Sequence, residues 1–182
     1  MNNRDRPSLD IVRPLLRVRQ IRQFTDLPPT DEQIDAIADV ARWTGSSRNT
    51  QPWRFIVIRD RQALLQLHEA GMPQTRSLAT ALVAIAIVVP DHGDAIDYAY
   101  DEGRAAERML IAASFLGLGA GIAWIMPHVR PLASEILGLP ADRLVRTLVV
   151  VGNPTDQARA PKSAPGKARL PREEVIFEGR WR

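Results

Sequence analysis

Four stretches of this chain gather residue types that could hold an anion or the edge of a polar ring. The first is Val18-Arg19-Gln20-Ile21-Arg22-Gln23-Phe24. Arg19 and Arg22 stand three apart, so a helix or turn would send both guanidiniums to one side. A planar guanidinium matches a phosphate through two parallel hydrogen bonds. The bland alternative is a solvated basic helix start. The second is Gly45-Ser46-Ser47-Arg48-Asn49-Thr50-Gln51-Pro52-Trp53. Its hydroxyls, amides and backbone N–H groups could line a polar heterocycle or a phosphate. Ser, Asn and Pro are equally the residues of an ordinary surface turn. The third is Lys162 followed by Lys167-Ala168-Arg169-Leu170-Pro171. In an extended chain Lys167 and Arg169 share a side and could reach one anion, unless they belong to a solvated tail. The fourth, Gly117-Leu118-Gly119-Ala120-Gly121, is not a dinucleotide fingerprint. It follows a helical stretch rather than a strand, so it reads as a tight helix exit.

The rest of the composition removes other chemistries. There is no cysteine, which excludes disulfides, thiol nucleophiles, iron–sulfur clusters and thiolate zinc sites. The three histidines, His68, His92 and His128, are far apart, so no metal site is expected. No phosphate-loop motif and no Ser-His-Asp order is present, and Asp91-His92-Gly93-Asp94 reads as a turn. Net charge is only +3, but it is unevenly placed. Residues 1–30 carry six Arg against three Asp, and the segment from Thr155 onward carries seven basic against four acidic residues. Each end is therefore +3 and the middle −3. Basic ends suit an anionic partner, either nucleic acid or a phosphate-bearing cofactor, or simple solvation.

These candidates need elements to position them. Thr30 and Gln33 predict a capped helix start, with Ile34, Ile37, Ala38 and Ala41 recurring behind it and an end near Trp43–Gly45. Arg54–Arg59 predicts a strand, and Asp60 caps a short helix to about Glu69. Ala81–Val89 is apolar on both faces, as in a central covered strand. Tyr98 to Leu118 predicts a long, largely buried helix, Arg130–Leu137 a short one, and Arg146–Val151 a third buried strand. Beyond Thr155 the chain reads as an arm, apart from Val175–Phe177. Length and pattern predict one domain over residues 1–182, with three buried strands and long helical connections. That is an α/β or α+β sandwich, with a mixed sheet favoured over simple alternation. The longest apolar run, Ala81–Pro90, is about half of a membrane span. Met1–Pro14 has no apolar core, so a cytoplasmic protein without a membrane anchor is expected.

Taken in order, the four stretches resemble the nitroreductase family of flavin-dependent oxidoreductases. Its pattern is Arg-Arg-Ser-x-Arg-x-Phe, Pro-Ser-Ser-x-Asn-x-Gln-Pro-Trp, Gly-Leu-Gly after a long helix, and Lys/Arg-x-Arg-x-Pro near the C-terminus. Here these stand as residues 18–24, 45–53, 117–119 and 167–171. Gly138-Leu139-Pro140 and a Gly-x-Pro after Val151 also fit. The resemblance implies an α+β fold and an intertwined homodimer with an extended C-terminal arm. It implies FMN at the dimer interface, NADH or NADPH as donor, and a small electron-poor acceptor such as a nitroaromatic or a quinone. By that similarity Arg19, Arg22, Lys167 and Arg169 would hold the phosphate and ribityl chain. Gln20 would take the place of the family's serine, and Ser46, Ser47 and Asn49 would lie along the flavin, partly from the partner subunit. Gln51 would reach the ring edge or support the loop. Gly119 and the backbone near Ile125-Met126 would approach the flavin's reactive nitrogen. No catalytic acid, base or metal is implied, because the flavin carries the chemistry in a ping-pong cycle. Two positions depart: Val18 stands at the family's first arginine and Gln20 at its serine. The stretch between Gly71 and Asp101 is short for the family, which implies a reduced lid. Contrasting readings are a flavin carrier or sensor without turnover, and a nucleic-acid-binding module using the basic ends. The last wants exposed aromatics among its cations, and the chain is 5% aromatic, with Trp43 and Trp53 reading as packed.

Overall fold

The computed structural model describes residues 7–92, 95–163 and 169–181. Helix α1 spans Pro7–Val12, a 3-10 turn follows over Arg13–Arg17, and the chain then runs extended from Val18 through Phe24. Helix α2, Asp31–Arg42, begins as expected. The Thr30 hydroxyl accepts from the Gln33 N–H at 3.2 Å, while the Gln33 side chain accepts from the Thr30 N–H at 3.0 Å. Two otherwise orphaned donors are thus satisfied together. Replacing Thr30 with alanine is expected to lower stability by about 1 kcal/mol, read from the denaturant midpoint.

Strand β1 (Arg54–Ile58), helix α3 (Arg61–Ala70) and strand β2 (Val83–Pro90) follow. Helix α4 spans Ala95–Phe115, about one turn earlier than the sequence suggests. Its end is set by Gly117 at φ 74°, with Leu118 N–H bonded to Ala113 O and Gly117 N–H to Ser114 O. That paired closure needs a left-handed residue, which glycine adopts without a side-chain clash. Strand β3 (Gly119–Trp124), helix α5 (Arg130–Leu137), strand β4 (Arg143–Gly152) and the short helix α6 (Asp156–Arg159) complete the order.

The sheet runs β1-β2-β4-β3, and all three pairings are antiparallel. A single parallel bridge, Gln20 to Ala120, lays the N-terminal segment along the β3 edge. The sheet itself is therefore antiparallel rather than mixed as the sequence suggests, because the parallel bridge comes from a segment outside the strands. Strand β3 was not anticipated: a six-residue run holding two glycines reads as a helix exit, and only pairing with β4 makes it a strand. In β2 every residue is buried, and alternate residues serve two cores. Ala84, Ala86 and Val88 join Leu64, Leu67 and Ala133 from α3 and α5. Ile85, Ile87 and Val89 join Ile34, Ile37, Ala105 and Met109 from α2 and α4. The result is a three-layer α+β arrangement in which both central strands, β2 and β4, are covered on both faces.

Two sequence readings are corrected here. Trp43 is 73% exposed, because the helix ends before it can turn into the core; Trp53, at 5%, is packed as expected. Val175 and Ile176 are 53% and 51% exposed, since no described element of the protomer lies against them closely enough to cover them. Among the described residues no helix is long and apolar enough to cross a membrane.

Candidate functional site

The N-terminal segment is the floor of the candidate site, and its path is set by glycines. Ile21 N–H donates to Ala120 O at 2.7 Å, and Thr25 N–H to Asn153 O at 2.8 Å. A Cβ on Gly121 would fall 2.2 Å from the Ile21 carbonyl oxygen. Gly119 and Gly152 leave comparable room for the side chains of Ile21 and Phe24. The arginine motif and the glycine motif, nearly a hundred residues apart in sequence, thus interlock.

Because this segment is extended, residues three apart point to opposite sides. Arg19 and Arg22 therefore do not share a face, contrary to the helix-or-turn reading. Arg19 donates to the carbonyls of Ala158 (3.0 Å), Ala160 (2.8 Å) and Arg159, and so ties down the end of α6. It lines a cavity of about 280 Å³ together with Gly119 and Ser114. Arg22 lies on the other side. Its guanidinium donates to Gln20 Oε1 at 2.7 Å, and the same oxygen accepts the Ile122 N–H at 3.3 Å. Gln20 is long enough to bridge the β3 edge and the arginine, and this aims the guanidinium. A serine there would be too short to reach both partners in this way.

Gln20 and Arg22 line a cavity of about 710 Å³ with Arg76, Gln157 and Lys162. The same pair and Arg76 line an adjoining cavity of about 360 Å³ against Trp124 and Ile122. Among the described residues no carboxylate lines either cavity. Together they form a cationic groove with one aromatic wall, which suits a flat ring carrying an anionic tail. Lys162, at the head of the third cationic stretch, lines this groove, and Arg76 is the cation there that spacing did not single out. Arg76 sits in the short stretch before β2, outside every motif, so only the fold brings it here.

The Ser46–Gln51 loop lines a different cavity. Arg48, Asn49 and Gln51 have φ of 50°, 55° and 48°. Left-handed backbone costs a non-glycine residue about 1 kcal/mol or more, and such cost is tolerated where the surroundings fix it. Ser46 Oγ accepts from Gln51 N–H at 2.9 Å, and Asp101 Oδ2 from Ser47 N–H at 3.2 Å. Asn49 Oδ1 accepts from the Gln51 side chain at 3.3 Å, so Gln51 supports the loop here. Asn49 and Gln51 are exposed, and Ser46 and Ser47 are half-buried. Ser47 faces Asp97, Tyr98 and Asp101 of α4 across a small cavity of about 100 Å³. None of these cavities is lined by both this loop and Arg22.

Three further positions complete the account. At Ile125-Met126 the Ile125 N–H donates to Arg146 O at 2.7 Å, and Ile125 is fully buried while Met126 is half-buried. Arg169 is exposed on the C-terminal segment. Lys167, like Gly93 and Asp94, lies outside the described residues. No group of three or more His, Asp or Glu able to hold a metal occurs among the described residues.

The Nitroreductase family profile matches residues 17–153, which is most of the chain. A relative from Archaeoglobus fulgidus, provisionally named NADH dehydrogenase/NAD(P)H nitroreductase, is 34% identical over 146 residues, covering 76% of this chain and 82% of its own. The FMN reductase [NAD(P)H] of Bacillus subtilis is 27% identical over 186 residues, covering 91% of this chain and 72% of its own. The solved structure of NfrA2 from B. megaterium superposes with a TM-score of 0.81 at 25% identity, over 94% of this chain and 74% of that one. The chain belongs to the nitroreductase family.

Proposed function

We propose that this protein is an FMN-dependent oxidoreductase that draws electrons from NADH or NADPH and delivers them to a small electron-poor acceptor, such as a nitroaromatic or a quinone. The observation that carries the reading is the Gln20–Arg22 pair, braced on the β3 edge in a cationic groove that no carboxylate among the described residues lines. FMN, when bound, would take hydride from the nicotinamide and release electrons to the acceptor in a separate half-reaction. The chain's own work is to bind and orient. Arg22 would neutralise the anionic tail, with Lys162 beside it and Lys167 and Arg169 following on the arm. The Gln20 amide N–H groups are left to hydrogen-bond the ligand's chain. Trp124, 41% exposed, would wall the ring region.

The Ser46, Ser47, Asn49 and Gln51 loop would complete the site from a partner subunit, in an intertwined homodimer joined through the arm. Two features support this. The loop is fixed in a costly conformation yet shares no described cavity with Arg22. Large apolar side chains also lie open on one protomer, including Ile11, Tyr100, Phe115 and Trp181.

The test is the visible spectrum of the purified protein with FMN added, followed by each nicotinamide. A bound flavin spectrum that bleaches with NADH or NADPH is expected. No flavin binding sinks the proposal, and bound flavin that neither nicotinamide bleaches leaves a carrier rather than an enzyme. Within this reading, Gln20→Leu is expected to weaken FMN binding about tenfold by releasing Arg22 and the Ile122 N–H. Fluorescence titration measures it, and unchanged affinity would show that the bracing is irrelevant.

A further inference from the structure

We propose that Arg61 is a positioning residue for the groove, which it serves by fixing the wall that residues 73–80 build beside the N-terminal segment. The inference rests on the flavin reading above and deepens it with a side chain that lines neither cavity itself. Pro73, Gln74 and Arg76 line the cavity beside Trp124, and Arg76, Ala79 and Thr80 line the larger one. This wall is a loop that closes in the short 3-10 turn Arg76–Ala79. One such turn makes few bonds of its own, so its position is set by what grips it from outside.

Arg61 supplies the main grip. It is the first residue of α3, and that helix is anchored by the fully buried Leu64 and Leu67. Its guanidinium donates to the carbonyls of Leu78 (2.8 Å), Ala81 (3.0 Å) and Ala79. Carbonyls at the end of a helical turn have no partner within it, and a planar group with five donors can gather several of them. Hydrogen bonds from a charged donor are also the stronger kind. Two neighbours extend the grip. Thr80 Oγ1 accepts the Phe24 N–H at 3.2 Å, which joins the turn to the segment that carries Gln20 and Arg22. Thr75, fully buried, donates through its hydroxyl to His68 O at 2.8 Å, which joins the start of the turn to the end of α3. Arg61 thus holds two walls of the groove in one arrangement. Precise binding needs such support behind the groups that touch the ligand.

The experiment titrates protein freed of flavin with FMN and with riboflavin, following flavin fluorescence, for wild type, Arg61→Gln, Arg61→Lys and Thr30→Ala. Arg61→Gln is expected to weaken both flavins by the same factor, about tenfold, because the released wall borders the ring region as well as the tail. Arg61→Lys is expected to recover part of that loss, since it keeps charged donors without the planar fork. Thr30→Ala weakens α2, which lines neither cavity, and is expected to bind both flavins as wild type does. It separates positioning from a plain loss of stability. Hydrogen exchange supplies the local readout: amides of residues 75–81 are expected to exchange faster in Arg61→Gln while those of β2 stay protected. If Arg61→Gln does not fold, the lysine variant carries the test, with a several-fold loss in both flavins expected. Unchanged affinity for both flavins overturns the inference and leaves the flavin reading intact, and so does a loss confined to FMN. A wild-type protein that binds neither flavin overturns both.

Discussion

Gly121→Ala is expected to destabilise the protein by about 2–4 kcal/mol and to weaken FMN binding at the same time. The added Cβ would stand 2.2 Å from the Ile21 carbonyl oxygen, a backbone atom with no side-chain freedom to yield. The extended segment must move off β3. It then loses the Ile21 N–H to Ala120 O bond, and Gln20 loses its contact with the Ile122 N–H. Arg22 loses its brace as a result, so stability and cofactor affinity fall together. Urea denaturation and FMN titration of the same variant measure both. A variant that loses stability but binds FMN as tightly as wild type would separate the floor of the groove from its function. Gly103→Ala is the natural control, because a Cβ there meets nothing within 4 Å and sits in the middle of α4. It is expected to be neutral or slightly stabilising.

Arg146→Ala is expected to cost about 3–5 kcal/mol. Between Ile87 and Val88 the β2–β4 register slips, so Ile87 pairs with Thr147 and Val88 with Val145. Arg146 is the extra residue of this bulge, and the bulge turns it toward α4. There its Nε donates to Glu102 Oε2 at 2.9 Å, with Glu102 only 2% exposed. Among the described residues Glu102 Oε1 has no hydrogen-bond partner, so there the carboxylate depends on this one arginine. Removing the arginine strands a buried negative charge, whereas removing both charges does not. The pair Glu102→Met with Arg146→Met is therefore expected to be far less damaging than Arg146→Ala alone. Thermal unfolding of the three variants decides it. Equal losses in the single and double variants would mean that the bulge geometry, rather than the charge, carries the stability.

Much of this protein is legible in its residues because the signals are local. The Thr30–Gln33 capping box, the doubly apolar Ala81–Val89 run and the helix Arg130–Leu137 each follow from interactions within a few positions. The order of the four motifs points to the family, and Trp53 reads as packed and is 5% exposed. What failed did so where pairing between distant segments overrides local preference. Strand β3 holds glycines that suit a loop, and it is a strand because β4 lies beside it. Arg19 and Arg22 have helical spacing, but the β3 edge draws their segment out straight and sends them to different cavities. Trp43 has core composition but lies just past the end of α2.

The sequence by itself determined the family, helices α2 to α5 with the Thr30 and Asp60 caps, the two covered strands and the inventory of cations available to an anion. Those properties come from residue type and short spacing, which the chain carries in any conformation. Only the tertiary structure decided which cations face one groove. It set Arg22 with Arg76 and Lys162, gave Arg19 to the carbonyls of α6, and held the Ser46–Gln51 loop against α4. Each of these outcomes depends on contacts between segments far apart in the chain, where close packing leaves one arrangement that satisfies both the buried surfaces and the backbone hydrogen bonds.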